Sequence, residues 1–127
     1  PLACTAGLAA IEVIENEGLI ERCAASGEML LASLRQTQSR YPNLIKDVRG
    51  RGLMIGVEFG HEDITSLVLA GMAQRDVLVI AYTFNNPTVT RFEPPFIITD
   101  EQIKWAATAF EEAVAQTAEL LVGVEEF

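Results

Sequence analysis

Apolar residues recur at Leu8, Ile11 and Ile14 and resume at Leu19, the three-to-four spacing of a helix face, with Gly18 as a break. The pattern predicts two helices, the second from about Leu19 to Arg40 with a stripe of Ile20, Cys23, Leu30, Leu31 and Leu34. It ends before Tyr41-Pro42, because a proline crowds the preceding residue out of helical conformation. The period then changes to two. Leu44 to Arg49 and Leu53 to Phe59 read as strands joined at Gly50-Arg51-Gly52. A helix is expected from about Asp63 to Arg75, then an apolar strand Val77-Leu78-Val79-Ile80, a turn at Asn85-Asn86-Pro87 and a strand carrying Arg91. Thr99-Asp100-Glu101-Gln102 has the capping-box spacing, so a last helix starts there, with Ile103, Ala106, Phe110, Ala113, Val114 and Leu121 as its buried face. No repeat, linker or low-complexity segment intervenes. The expected fold over residues 1–127 is a single α+β domain, a small and largely antiparallel sheet with helices packed on one face.

Composition narrows the possible partners. Half of the 127 residues are hydrophobic, enough for a core without disulfides or metals. A formal charge of −9 repels phosphate backbones and anionic lipid, so neither nucleic acid nor membrane is an expected partner. Cys4 and Cys23 lie in Ala-rich helical segments and His61 is the only histidine, which suggests neither a disulfide framework nor a metal set. A reducing, cytoplasmic setting is expected. The first residue, Pro1, suits the first turn of a helix yet has no capping residue before it, so the chain reads as a piece of a longer protein.

Candidate chemistry is sparse. Arg91 stands in the alternating run Val89-Thr90-Arg91-Phe92 that Pro94-Pro95 then stops, and a planar, permanently charged guanidinium on a rigid strand end can grip a carboxylate with two hydrogen bonds. The plain alternative is an edge-strand arginine with its stem on apolar surface and its head in water. Arg49-Gly50-Arg51-Gly52 lacks the spacing and the following helix of a phosphate loop, and glycines at a turn that needs positive φ account for it. Glu58 and Glu93 are not paired as acid and base, His61 reads as a solvated loop residue, and Lys46 and Lys104 are the only lysines. No residue of the chain is assigned a catalytic role, and none a cofactor- or metal-binding one.

Three blocks, Pro1 to Ile14, Val48 to Phe59 and Arg91 to Thr99, together resemble the C-terminal part of class III pyridoxal-phosphate aminotransferases, the ornithine and acetylornithine aminotransferase group. Asn85-Asn86 followed by Arg91-Phe92-Glu93-Pro94-Pro95 most resembles the putrescine aminotransferases, since the acetylornithine branch more often has leucines where this chain has Phe92-Glu93.

The resemblance implies a division of labour. A large domain upstream would hold pyridoxal 5'-phosphate on a Schiff-base lysine, and this chain would be the smaller C-terminal domain closing over it. The arginine of the family's Arg-x-x-Pro-Pro motif, which falls on Arg91, would bind the substrate α-carboxylate, and Arg49 would be structural. The parent enzyme would be a homodimer or larger. It would move an amino group from a small-molecule amine, a diamine or ω-amino donor of the putrescine or ornithine type, to a 2-oxo acid such as 2-oxoglutarate. The alternative readings are a non-catalytic small α+β interaction domain, or a regulatory domain sensing a small carboxylate through Arg91.

Overall fold

Gly18 divides the N-terminal helical region as the apolar pattern requires. The computed structural model describes residues 1–79 and 85–125. In it α1 (Leu2–Asn16) and α2 (Leu19–Arg40) meet at Gly18, which has a left-handed φ of 60°. α2 ends at Tyr41, which has left the helical conformation ahead of Pro42. β1 (Ile45–Arg51), β2 (Met54–Phe59), α3 (Glu62–Ala73), β3 (Val89–Phe92) and α4 (Asp100–Glu125) follow. Among the described residues the sheet has the order β1-β2-β3, antiparallel throughout, with α2, α3 and α4 on one face. The expected α+β architecture is the observed one.

A register shift between Ile45 and Asp47 puts both Ile45 and Val48 on the inner face, a bulge that lets two buried residues sit three apart in one strand. They meet Phe59 and Val57 across the β1–β2 ladder, and β2 meets Thr90 and Phe92 of β3 through Val57 and Ile55. All of these inner residues are buried. Phe110 of α4 closes the core between Phe59 at 6.3 Å and Phe92 at 5.5 Å, the latter edge-to-face. Leu30 and Leu34 of α2 and Val68 and Met72 of α3 fill the remaining volume.

Helix α2 touches the hairpin backbone directly. A Cβ on Gly27 would lie 2.2 Å from the Gly52 carbonyl oxygen, so only glycine permits this approach. Gly52 itself has φ of 54° and serves the turn as expected. Gly50 differs from expectation. It and Arg51 belong to β1, and Gly50 is needed because a Cβ there would run into the Met54 carbonyl oxygen at 2.4 Å.

No residue of α1 is buried, and Leu8 and Ile11 are 62% and 53% exposed. Other expectations need correction. Ile20, placed on the α2 stripe, is exposed as well, because the buried face runs through Leu19, Ser26, Leu30 and Leu34. Residues 77–79 form no strand, and residue 80, the end of that expected strand, lies outside the described residues. α3 stops at Ala73 rather than Arg75, whose guanidinium turns back to donate to the Gly71 carbonyl at 2.8 Å. His61 is a solvated residue ahead of α3, as expected, and it also caps that helix, its Nδ1 accepting from the Asp63 N–H at 3.2 Å.

The capping box of α4 is formed. Thr99 N–H donates to Gln102 Oε1 at 3.0 Å, and Gln102 N–H donates to Thr99 Oγ1 at 3.2 Å. The backbone N–H of Glu101 and, less strongly, the Thr99 hydroxyl hold the Glu101 carboxylate below its ordinary pKa.

Two stability predictions follow from these contacts. Gly27→Ala should lower stability by about 1–3 kcal/mol through overpacking, whereas Gly7→Ala, with nothing within 4 Å of the added Cβ, should be neutral or slightly stabilising. Urea denaturation midpoints of the two variants make the comparison. A depressed pKa in the fold means that Glu101 contributes stability above the ordinary carboxylate pKa and loses it as pH falls through the folded value. Thr99→Ala removes the cap bond to Gln102 N–H and should cost about 1 kcal/mol at neutral pH. With one of the groups that lower the Glu101 pKa gone, it should also show a shallower loss on the acid side, read from thermal unfolding across a pH series.

Candidate carboxylate site at the end of strand β3

Strand alternation fixes where Arg91 points. Thr90 and Phe92 are buried, so Val89 and Arg91 lie on the other face of the sheet, where no helix packs among the described residues and Arg91 is exposed. Phe92, wedged edge-to-face on Phe110, anchors this arrangement from below. Arg91 lies opposite Gly56 of β2, which in turn lies opposite Arg49 of β1. A row of two arginines with a glycine between them thus crosses the open face, leaving the middle position free of side chain.

The two arginines have different surroundings. Arg49 donates from Nη1 to Asp47 Oδ2 at 2.7 Å and to Glu58 Oε2 at 2.8 Å. These bonds, to Asp47 first and then Glu58, raise its pKa above the ordinary value. Arg49 therefore braces β1 against β2, as expected of a structural arginine. Arg91 is half-exposed and forms an ion pair with Glu93 at the longer distance of 3.3 Å. Glu58 and Glu93 are thus each occupied with a different arginine, and they do not form an acid–base pair.

β3 ends at Phe92, just ahead of Glu93-Pro94-Pro95, and the chain turns through an Ile98 N–H to Pro95 carbonyl bond of 3.0 Å into the α4 cap. Sequence reasoning did not find what holds this turn. Arg22, on the first turn of α2, donates from Nη2 to the Ile98 carbonyl at 2.9 Å and the Ile97 carbonyl at 3.3 Å. A contact spanning 76 positions leaves no local signal. The Arg91–Glu93 pair, by contrast, was legible in principle, because residues two apart on a strand share a face.

Beside this strand end opens a cleft of about 590 Å³, lined by Arg91, Glu93, Pro94, Pro95 and Trp105 among others. Its size is that of small-molecule sites, and Arg91 is the only cationic side chain among its described lining residues. The arrangement can receive a small carboxylate. Among the described residues no group of His, Cys, Asp and Glu is placed to hold a metal. No helix there is long and apolar enough to cross a membrane.

Comparison with known proteins places the chain in a family. The chain belongs to the class III aminotransferase family, whose profile (Aminotransferase class-III) matches residues 1–114. It is 37% identical over 116 residues to the acetylornithine aminotransferase of Synechocystis sp., covering 91% of this chain and 27% of that protein. The ornithine aminotransferase of Toxoplasma gondii superposes with a TM-score of 0.84 at 30% identity, over 94% of this chain and 28% of that one. The lysine aminotransferase of M. tuberculosis does so with a TM-score of 0.79 at 30% identity, over 85% and 24%. The chain therefore spans only about a quarter of the length of these relatives.

Pyridoxal phosphate is the cofactor of this family, and the T. gondii structure is described with partial occupancy of it at the active site. The residues of this chain do not by themselves fit that group. Its only lysines, Lys46 on β1 and Lys104 on α4, are both exposed and neither lines the cleft. Titrating pyridoxal phosphate into the purified chain should accordingly give no saturable absorbance band and no single lysine fixed by borohydride. A stoichiometric, borohydride-fixed adduct on Lys46 or Lys104 would contradict this.

Proposed function

We propose that this chain is the C-terminal small domain of a longer pyridoxal-phosphate-dependent aminotransferase, and that Arg91 binds the carboxylate of its 2-oxo acid substrate. The parent enzyme would transfer an amino group from a diamine or ω-amino donor, putrescine or ornithine in type, to an acid such as 2-oxoglutarate. The observation that carries the reading is the placement of Arg91. It lines a cleft beside the end of β3, next to the two prolines that follow the strand.

The work assigned to the chain's own residues is binding and orientation. The Arg91 guanidinium offers two parallel N–H donors to one carboxylate, which fixes the acid's direction as well as its place. Phe92 and the proline pair keep the strand end from yielding when that charge arrives. Residues upstream of this chain would hold the cofactor, which supplies the carbanion chemistry of amino transfer. The exposed apolar face of α1, with Leu2, Leu8 and Ile11, supports the same reading, because an uncovered stripe of this kind suits packing against the rest of a longer protein. The parent is expected to be a homodimer or larger and to act in the cytoplasm.

Arg91→Lys in the intact enzyme tests the assignment. Lysine keeps the charge and loses the planar two-point grip, so the cost should be about 2–4 kcal/mol, roughly 30- to 1000-fold in kcat/KM for the oxo acid. The half-reaction with a diamine should change far less, because that donor has no carboxylate. Stopped-flow measurement of each half-reaction distinguishes the cases. Equal losses in both would mean that Arg91 supports structure or that the donor is itself an amino acid.

A further inference from the structure

We propose that Arg22 is a positioning residue for Arg91. By bridging the Ile97 and Ile98 carbonyls it holds the turn after β3 in place, so that the Arg91 guanidinium is aimed before the oxo acid arrives. This inference rests on the reading of Arg91 given above.

The strand end needs a second anchor. β3 has four residues, is paired with β2 alone among the described residues, and carries Arg91 as its last residue but one. The ladder stops at Phe92 opposite Ile55. Beyond it Pro94 and Pro95 have no N–H with which to extend the pairing. They do stiffen the segment, since each proline fixes its own φ and confines the residue before it to extended conformations. The bond from the Ile98 N–H to the Pro95 carbonyl then closes the turn, and Pro94, Pro95 and Ile98 line the same cleft as Arg91. A stiff segment of this kind carries a shift of Ile98 back toward Arg91.

Arg22 supplies that anchor from α2. Its Nη2 donates to the Ile98 carbonyl at 2.9 Å and to the Ile97 carbonyl at 3.3 Å. Both carbonyls lie ahead of the Thr99 cap and so stand outside the hydrogen-bond ladder of α4. A cation this near a helix N-terminus is disfavoured by the macrodipole, so α2 by itself gains nothing from an arginine here. The close contact of Gly27 with Gly52 sets the helix at the distance from which the side chain reaches the turn. Arg22 is not among the residues lining the cleft, so it acts through the turn and does not touch the acid.

The test uses the full-length holoenzyme with Arg22→Met, which keeps an apolar stem and removes the donors. Arg22 is exposed, so the exchange should leave the domain folded. Calorimetric titration should show Kd for 2-oxoglutarate raised about tenfold, the size of a lost hydrogen bond from a charged donor. KM of the acid half-reaction should rise by a similar factor, with kcat at saturation little changed. Arg22→Lys should recover most of the loss, because an ammonium can bridge two carbonyls as Nη2 does. At Arg91, where two parallel donors are needed, the same exchange fails. Arg35→Met is the control, since that exposed arginine of the same helix donates to the Val48 carbonyl of β1, and Kd should stay where it was. Unchanged Kd in Arg22→Met, while Arg91→Lys still impairs binding, would overturn the role of Arg22 and spare that of Arg91. Equal losses in Arg22→Met and Arg35→Met, or no recovery in Arg22→Lys, would reduce the contact to general support of the fold and also overturn it. If Arg91→Lys leaves 2-oxoglutarate binding intact, both assignments fall together.

Discussion

The backbone contact between Gly27 and Gly52 is the constraint on which the rest of the domain depends. A helix approaching a strand turn this closely leaves no room for a side chain at the crossing. The closeness sets the height of α2 above the sheet. Leu30 and Leu34, one and two turns further along, then enter the core over β1 and β2. Arg22, one turn before the crossing, is carried within reach of the Ile97 and Ile98 carbonyls. A wider crossing would leave voids beside Leu30 and remove the guanidinium from the turn that leads from β3 into α4. Packing of this density transmits such displacements rather than absorbing them.

The candidate site depends on the division of the sheet into two faces. The inner face is apolar and covered by helices, and every second residue of β2 and β3 is locked into it. The outer face carries Arg49, Arg91 and Glu58, with Gly56 between the two arginines. The chemical difference between the arginines comes from their neighbours. Arg49 is saturated by two short bonds and serves the strands. Arg91 holds one looser partner and faces a cleft. A charge that is available without being uncompensated suits a group that must bind an anion and release it.

The uncovered helix α1 belongs to the same picture. Its apolar residues keep normal helical spacing, yet none of them is buried, so the helix leaves apolar surface open. The match to the class III aminotransferases spans about a quarter of the length of the relatives. Both lysines are exposed and lie away from the cleft that Arg91 lines.

Local chemistry was enough to place most elements. The left-handed glycine at position 18, the proline stop after Tyr41, the two-residue period of β2 and the Thr99–Gln102 capping box are each decided within a few residues, so each could be read directly from the chain. The strand carrying Arg91 and its stop at the prolines were legible for the same reason. Where several parts of the chain meet, local reading ran out. An apolar stripe announces a buried face but not the partner that buries it, so Ile20 was placed on a stripe whose core does not reach it. Apolar character at residues 77–79 marked extended chain without telling whether a strand would pair with it. The close approach that requires Gly27, the reach of Arg22 across the domain and the cleft beside Arg91 exist only once α2, β3 and α4 are in place. Sequence by itself determined the elements and the charge at the strand end. Tertiary packing alone decided which faces are covered and which arginine lines a cleft, because burial is a property of neighbours distant in the chain.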